Sequence, residues 1–308
     1  MSQAIEVKGL TKSYRTKDGT VVDAVRGIDL HVDQGEILAF LGSNGAGKTS
    51  TIEILEGFRE RTSGDVLVLG EDPSAPSAAW RENIGIVLQE SAHERVLTAR
   101  ESVQMFASCF GAPRPVDEVL EIVGLSDSAD QRTKALSGGQ KRRLDLAIAL
   151  VGDPKLVFLD EPTTGFDPSA RRDAWEMIEQ LRNLGTTVLL TTHYMDEAEQ
   201  LSDRIVVISN GLIAAEGTAA DLADQVKLLT RVSWDPAEAP AEAVPESLRA
   251  NLITGAQELS IETDQVTEVV HALTRWATAN DARIDSLSVV RPNLEDTFLR
   301  LVEPGDEQ

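Results

Sequence analysis

Continuous and alternating hydrophobic runs divide the first part of the chain into strands, turns and helices. Residues 36–41 (EILAFL) are almost wholly apolar, which is typical of a parallel strand buried on both faces. A glycine-rich loop follows, and a helix is predicted from about Lys48. Further strand patterns at Leu156–Leu159 and Thr187–Thr191 enclose a predicted helix at Ala170–Leu184. This alternation predicts an α/β fold with a mainly parallel sheet.

Shorter patterns flank this predicted core. Short strands and tight turns occupy the first thirty-five residues, with Asp18-Gly19 placed as a hairpin turn, and Asn210-Gly211 predicts a second hairpin. Between residues 90 and 153 the apolar residues recur at intervals of three and four instead. Thr98 and Glu101 also form a capping-box pattern there. We therefore expect a helical subdomain at about residues 90–153.

The composition changes after about residue 225. Residues 235–245 (DPAEAPAEAVP) are rich in proline, alanine and glutamate, which indicates a linker or loop. Strands near residues 258–262 and 283–290 and helices near 265–279 and 294–302 are predicted beyond it. The sequence thus predicts one larger α/β domain at residues 1–225 and a small α+β domain at residues 226–308.

Charge and hydropathy restrict the partners of the chain. It has 51 acidic residues against 29 Lys and Arg, a net charge of -22, so we expect no nucleic-acid partner. No run approaches the roughly 18 apolar residues of a membrane span, so a membrane role is expected only through a partner. The single cysteine, Cys109, lies in an apolar helical stretch and is expected to be buried.

The loop after the first buried strand matches the phosphate-binding pattern G-x-x-x-x-G-K-[ST]. Its glycines let backbone N–H groups fold around phosphates, and the next helix directs its positive dipole end toward them. We expect Lys48 to reach the β- and γ-phosphates of ATP and the Thr49 hydroxyl to ligate Mg²⁺. The expected ATP-binding residues here are Gly42, Ser43, Asn44, Gly45, Ala46, Gly47, Lys48, Thr49 and Ser50.

Residues 156–161 (LVFLDE) form an apolar strand that ends in two carboxylates. In an α/β sheet the carboxyl end of such a strand faces the ligand crevice. Asp160 is then placed to hold Mg²⁺ through water, and Glu161 is placed to polarise the attacking water.

Residues 136–140 (LSGGQ) begin another predicted helix. Ser137 is a favourable N-cap, and the two glycines leave the first N–H groups of the helix open to an anion. A phosphate loop and a separate anion-binding helix start indicate a composite site between two chains. Over residues 4–220 these motifs resemble the ATP-binding cassette (ABC) ATPases. The resemblance implies that the γ-phosphate held by the opposite subunit binds Leu136, Ser137, Gly138, Gly139 and Gln140.

The same resemblance implies roles for four further residues. Tyr14 matches the aromatic residue that stacks on adenine, and Gln89 matches the glutamine that contacts Mg²⁺ and water and signals to the transport domain. His193 matches the switch histidine at the γ-phosphate, and Asp167 matches the loop that communicates across the dimer. The implied catalytic residues are Glu161, His193, Gln89 and Lys48, and the implied Mg²⁺ ligands are Thr49, Gln89 and, through water, Asp160.

The resemblance also implies the architecture and the assembly. The expected fold is an ABC ATPase nucleotide-binding domain, a P-loop NTPase core with an N-terminal antiparallel β subdomain and a helical subdomain. Residues 291–299 (RPNLEDTFL) resemble the ending of ABC-2-type drug-exporter ATPases, the daunorubicin-resistance-like group. This implies an ATP-dependent head-to-tail homodimer on an ABC-2 permease, at the cytoplasmic face of the cell membrane. The implied substrate is a hydrophobic drug, a lipid or a glycolipid-like molecule.

Three alternatives stay open at this point. A soluble ABC-type ATPase acting on translation or DNA would normally carry two cassettes or a long coiled-coil insertion, and this chain has neither. An importer ATPase would typically have a β-rich tail. The last eighty residues could also form a dimerisation or regulatory module, which is compatible with the ATPase assignment.

Arg142 and Arg143 are expected on a solvated helix face.

Overall fold

The computed structural model describes residues 2–88, 96–226, 228–255 and 258–302. The chain divides into two compact units, Met1–Ala219 and Ala220–Gln308. The strands of the first unit are β1 (Gln3–Arg15), β2 (Val21–Asp33), β3 (Ile37–Leu41), β4 (Ser63–Val68), β5 (Ile84–Val87), β6 (Leu156–Asp160), β7 (Thr187–Thr192), β8 (Arg204–Ser209) and β9 (Leu212–Gly217). Its helices are α1 (Lys48–Leu55), α2 (Ala78–Glu82), α3 (Ala99–Ala107), α4 (Val116–Ile122), α5 (Gly138–Leu150), α6 (Pro168–Asn183) and α7 (Met195–Leu201).

The helix α8 (Ala219–Gln225) spans the boundary between the two units. The remaining elements are β10 (Thr230–Trp234), α9 (Glu246–Arg249), β11 (Leu252–Thr254), β12 (Leu259–Thr263), α10 (Val266–Ala279), β13 (Ser288–Val290) and α11 (Leu294–Val302).

A central sheet with strand order β5-β6-β7-β3-β8-β9 organises the first unit. Its strands pair in parallel except β9, which returns antiparallel to β8 in the predicted hairpin. Every residue of β3 is buried, as its apolar run predicts, and every residue of β7 is buried as well, although three of them are threonines. Leu41 pairs with Thr192, and Asp160 pairs with Thr191. The segments that follow β3, β6 and β7 therefore start side by side at one edge of the sheet.

The amino-terminal strands form a second sheet with the antiparallel order β2-β1-β4. The hairpin of β1 and β2 turns at the predicted Asp18-Gly19, and both strands run longer than predicted. One hydrophobic core joins this sheet to the central sheet, and its members include Ile5 of β1, Phe40 of β3 and Phe158 of β6.

Helices α3, α4 and α5 form the predicted helical part. The capping box of α3 is present, with the Thr98 hydroxyl accepting from the Glu101 N–H at 3.1 Å and the Glu101 carboxylate accepting from the Thr98 N–H at 2.8 Å. The predicted start of this part, near residue 90, lies outside the described residues. The prediction that Cys109 is buried is wrong: the side chain is exposed, because α3 ends at Ala107 and Cys109 lies in the turn beyond it.

The second unit is a small α+β fold, as predicted. Its sheet has the order β11-β12-β10-β13 with antiparallel pairs, and α10 covers it through a separate core that includes Trp234, Ile261 and Leu273. The proline-rich segment after β10 packs as a loop, in which Ala239 is buried and accepts a hydrogen bond from the Trp234 indole at 2.9 Å. Among the described residues, no helix has the length and apolar character that crossing a membrane requires.

Candidate active site

The glycine-rich loop between β3 and α1 follows a path that only glycine allows at two positions. Gly47 has a φ of +112°, and a Cβ there would collide with the Ala24 carbonyl oxygen. A Cβ on Gly42 would lie 2.6 Å from the Ile208 carbonyl oxygen. The neighbouring strands thus hold the loop in the curved shape that presents backbone N–H groups to a phosphate.

Lys48 begins α1 and is almost completely buried. Its Nζ donates to the Gly42 carbonyl oxygen at 2.5 Å and to the Ser43 carbonyl oxygen at 3.2 Å, so the ammonium group lies inside the loop. Burial lowers the pKa of Lys48, and the carboxylates of Glu161 and Asp160 oppose that shift. The side chain therefore places a positive charge between the loop and the two carboxylates.

A cavity of about 590 Å³ brings together most of the residues predicted to bind the phosphates and Mg²⁺ and to catalyse hydrolysis. This volume is within the usual range for a small-molecule site. Residues from the loop, from the end of β6 and from the segment after β7 line it: Ala24, Ser43, Asn44, Gly45, Gly47, Lys48, Thr49, Ser50, Asp160, Glu161 and His193.

The two carboxylates at the end of β6 are held in place by β7. Asp160 Oδ1 accepts from the Thr191 hydroxyl at 2.5 Å. Glu161 has a left-handed backbone, with φ of +44°, and its N–H is shared between the Thr191 carbonyl and hydroxyl oxygens, each at 3.1 Å. Such a backbone persists in a non-glycine residue only where the surroundings fix it. Thr191 was not predicted as a site residue, because β7 contains three threonines and nothing in the sequence singles this one out.

Neighbouring side chains contact both carboxylate oxygens of Glu161 and so orient its side chain. Oε2 accepts from the Thr164 hydroxyl at 3.0 Å, and Oε1 lies 3.4 Å from Nδ1 of His193. The His193 ring packs against the Tyr194 ring with 4.1 Å between centroids. The arrangement gives a carboxylate that is fixed at the cavity wall and can accept a proton there.

Tyr14 is the predicted adenine-stacking residue, and the structure places it beside the loop. Its hydroxyl and the Ser50 hydroxyl are 2.8 Å apart. Cationic groups of Lys12 and Arg59 lie 5.0 Å and 5.3 Å from its ring centroid. Tyr14 is not among the residues that line the cavity, so its role in stacking remains a prediction.

The LSGGQ segment lies in a different cavity, of about 660 Å³. Ser137 caps α5: its hydroxyl accepts from the Gln140 N–H at 3.2 Å, and the Gln140 side chain accepts from the Ser137 N–H at 2.9 Å. Gly138, Gly139 and Asp167 also line this cavity, whereas Leu136 is buried away from it. Among the residues that the structure describes, the two cavities share no lining residue, so these residues of one chain do not bring the phosphate loop and the LSGGQ segment to a common ligand.

Asp167 has a structural function besides the one that the family resemblance implies. It is the N-cap of α6, and its carboxylate accepts from the Ser169 and Ala170 N–H groups at 2.9 Å each. Gln89, predicted to be a catalytic residue and a Mg²⁺ ligand, lies outside the described residues.

The expectation that Arg142 and Arg143 are solvated is wrong for Arg142. Only 9% of this residue is exposed, because its guanidinium group is enclosed by backbone carbonyls near the ends of β5 and β6. Arg143 keeps partial exposure, donates to the Val123 carbonyl oxygen and pairs with Asp173 at 3.2 Å.

These residues fit Mg-ATP. The groups that hold phosphates and a hard cation are present: a loop that requires glycine, a buried ammonium group, a threonine hydroxyl and two carboxylates. Within the described parts of the chain, no three His, Cys, Asp or Glu side chains converge as they would in an all-protein metal site. The two carboxylates at this cavity fit Mg²⁺, which usually takes one or two carboxylates from the protein and its other ligands from phosphate and water.

Comparison with known proteins points in the same direction. A family model described as ABC transporter matches residues 25–164. The daunorubicin/doxorubicin resistance ATP-binding protein DrrA of Streptomyces peucetius is 36% identical over 320 residues, covering 100% of this chain and 95% of that protein. The Nod factor export ATP-binding protein I of Paraburkholderia xenovorans is 39% identical, covering 97% of this chain and 96% of that protein. Both similarities extend through the second unit.

A solved structure supports the fold. The dimeric, post-hydrolysis form of the ATP-binding cassette MJ0796, bound to ADP and Pi, matches with a TM-score of 0.61 at 24% identity. The match covers 70% of this chain and 98% of that chain. It shows that the two proteins share the fold of an ATP-binding cassette.

Proposed function

Because the chain belongs to the family of ABC transporter ATP-binding subunits and hydrolyses ATP, we propose that it powers an ABC-2-type exporter whose permease is a separate polypeptide. The observation that carries the proposal is end-to-end similarity to a drug-resistance and a Nod factor export ATP-binding protein. The substrate we propose is a hydrophobic drug, a lipid or a glycolipid-like molecule.

The geometry of the first cavity supports a direct hydrolytic mechanism. Lys48 and the loop N–H groups position the β- and γ-phosphates of ATP. Mg²⁺, held by Thr49 and through water by Asp160, would neutralise charge on these phosphates. Glu161, oriented by Thr164 and His193, accepts a proton from the attacking water. Thr191 keeps both carboxylates at the cavity wall.

A head-to-tail dimer would bring the two cavities together. Within one chain the phosphate-loop residues and the LSGGQ residues line separate cavities. In the proposed dimer, Ser137 and the open N–H groups of α5 complete the site of the opposite subunit. The dimeric state of the related cassette supports this arrangement.

The permease supplies the membrane span that the described residues lack. The chain would then lie at the cytoplasmic face of the cell membrane, held by that partner. A nucleic-acid partner is disfavoured, because a net charge of -22 repels a phosphate backbone.

The test is a pull-down of a Glu161→Gln variant from detergent-solubilised native membranes with Mg-ATP, followed by mass spectrometry. We expect this variant to lose about 10²–10⁴-fold in kcat while it still binds ATP, because it loses its general base. A polytopic membrane protein should then be recovered in stoichiometric amount. Glu176→Gln, which removes one exposed carboxylate from α6, is the matched control and should keep full turnover.

Two results would contradict the proposal. Recovery of ribosomal or DNA-repair proteins without a membrane partner would exclude the exporter and leave only the ATPase. Undiminished hydrolysis by Glu161→Gln would exclude Glu161 as the general base.

A further inference from the structure

Arg142 connects the LSGGQ helix to the carboxylates of the hydrolytic site. It lies on α5 and lines the LSGGQ cavity, yet its guanidinium group points into the protein. Nε donates to the Pro162 carbonyl oxygen at 3.0 Å, and Nη2 donates to those of Asp160 and Glu161 at 2.9 Å and 3.4 Å. Nη1 donates to the Leu88 carbonyl oxygen. One side chain thus joins α5, the end of β6 and the segment after β5.

Arginine is suited to this position in a way that lysine is not. A guanidinium group presents five N–H donors in a fixed planar fork, whereas an ammonium group is a point charge on a flexible stem. Burial lowers the pKa of Arg142, while the carboxylates of Asp145, Asp160 and Glu197 act in the opposite direction. The group remains charged, and hydrogen bonds from a charged donor are stronger than neutral ones.

The carbonyl groups that Arg142 holds belong to the residues that carry the chemistry. Glu161 has the left-handed φ of +44°, a conformation that requires support from its neighbours. Thr191 accepts a hydrogen bond from the Glu161 N–H group. Arg142 donates to the carbonyl oxygens of Asp160, Glu161 and Pro162. Displacement of Arg142 would therefore release one of the two sets of bonds that hold the Glu161 backbone, and with it the base of its side chain, in position.

We propose that Arg142 is a positioning residue that transmits contact made at the LSGGQ segment to Glu161 of the same chain. Contact of a second subunit's ATP with the start of α5 moves the helix, and the guanidinium group moves the backbone at the end of β6 with it. The hydrogen bond from Arg142 to the Leu88 carbonyl oxygen carries the same movement to Leu88, which directly precedes Gln89 in the chain. This inference rests on the proposed dimeric function, since it requires that ATP of the opposite subunit contacts α5.

The test compares Arg142→Gln and Arg142→Lys with the unaltered full-length chain. Three quantities are measured: kcat of ATP hydrolysis, the affinity for ATP by titration, and the fraction of dimer formed with Mg-ATP by light scattering. Arg81→Gln is the matched control, because Arg81 is exposed and its guanidinium group donates to the Pro76 carbonyl oxygen at 3.0 Å.

For Arg142→Gln we expect at least about a tenfold loss of kcat with ATP affinity preserved within about threefold. The ATP-bound dimer should accumulate although Glu161 is intact. The two chains still close around ATP, but contact at the LSGGQ segment no longer affects Glu161. Arg142→Lys retains the charge without the fork, so we expect an intermediate loss of kcat. If Arg142→Gln does not fold, the lysine variant alone carries the test.

Unchanged kcat in the variants that fold would overturn the inference. Loss of the dimer together with kcat would also overturn it, because Arg142 would then act in binding and not in transmission. Failure of the proposed function can be distinguished from failure of this inference. A Glu161→Gln chain that forms no dimer with Mg-ATP would contradict the proposed dimer itself, whatever the Arg142 variants do.

Discussion

Glu56 is a buried carboxyl group that the hydrolytic mechanism does not use. It caps the end of α1, its side chain is buried, and its Oε1 has no hydrogen-bond partner among the described residues. Burial raises the pKa of Glu56 from 4.5 to about 8, and the carboxylates of Asp160 and Glu53 act in the same direction. The folded chain thus binds this proton more tightly than the unfolded chain. Stability therefore decreases as the pH rises from about 4.5 through about 8.

Replacing Glu56 by glutamine should remove this pH dependence, because the amide has a similar shape and does not ionise. We expect equal stability at about pH 4, below the unfolded-state pKa of 4.5, and an increase of about 2–4 kcal/mol in the variant at about pH 9. Denaturant unfolding at both pH values measures the difference. The exposed Glu60→Gln is the control. If the stabilities of Glu56→Gln and the unaltered chain change equally with pH, Glu56 is not the source of the pH dependence.

Individual residues were predictable where a local pattern marks them. Lys48, Asp160 and Glu161 each follow or end an apolar strand, and parallel strands bring such positions to one edge of a sheet. Thr191 and Arg142 carry no such mark. A threonine in a buried strand and an arginine on a helix have many ordinary functions, and only tertiary packing shows which carbonyl and carboxylate groups they meet.

At the scale of elements, two helices offer a matched pair. Helices α3 and α5 both begin with a complete capping box, at Thr98 and at Ser137. Only the second lies at the LSGGQ cavity. Comparing the two caps therefore separates the structural effect of an N-cap from a function in binding.

Ser137→Ala and Thr98→Ala should each destabilise the chain by about 1 kcal/mol, because each leaves a helix N–H group without its side-chain acceptor. Only Ser137→Ala should weaken ATP-dependent dimerisation, by about tenfold or more, if the serine contacts the opposite subunit's nucleotide. Thermal unfolding and light scattering of both variants in a Glu161→Gln background provide the measurements. Equal dimerisation of the two variants would remove Ser137 from the interface.

The elements themselves were predicted best where hydrophobic periodicity is strong. The patterns of β3, β6 and β7 and the capping box of α3 are local, so the sequence alone identifies them. The lengths of β1 and β2 were underestimated, because their pairing continues through exposed polar positions. The strand predicted at residues 283–290 is reduced to β13, since only its last residues pair with β10.

At the scale of the whole molecule, each unit has a hydrophobic core of its own. The first core includes Phe40 and Phe158, and the second includes Trp234 and Leu273. The boundary lies between Ala219 and Ala220, whereas composition placed it after residue 225. The difference is α8, whose sequence does not differ in composition from the preceding domain.

Separate cores predict that the first unit folds and binds ATP by itself. All residues that line the phosphate-loop cavity and the LSGGQ cavity precede residue 219. A chain that ends at Gln225 should therefore keep Mg-ATP affinity within about threefold, and in a Glu161→Gln background it should still dimerise with ATP. Calorimetric titration and light scattering, each against the full-length Glu161→Gln chain, test both expectations.

Each outcome assigns a different function to the second unit. A shortened chain that keeps its circular-dichroism spectrum but loses ATP affinity would contradict the independence of the first unit. If affinity is preserved and only dimerisation is lost, the second unit is a dimerisation module, and the prediction that both cavities suffice for closure is wrong. If both are preserved, the similarity of the second unit to exporter ATP-binding proteins must reflect a function outside nucleotide-driven closure. A membrane protein recovered with Glu161→Gln would be the partner on which that function is then to be measured.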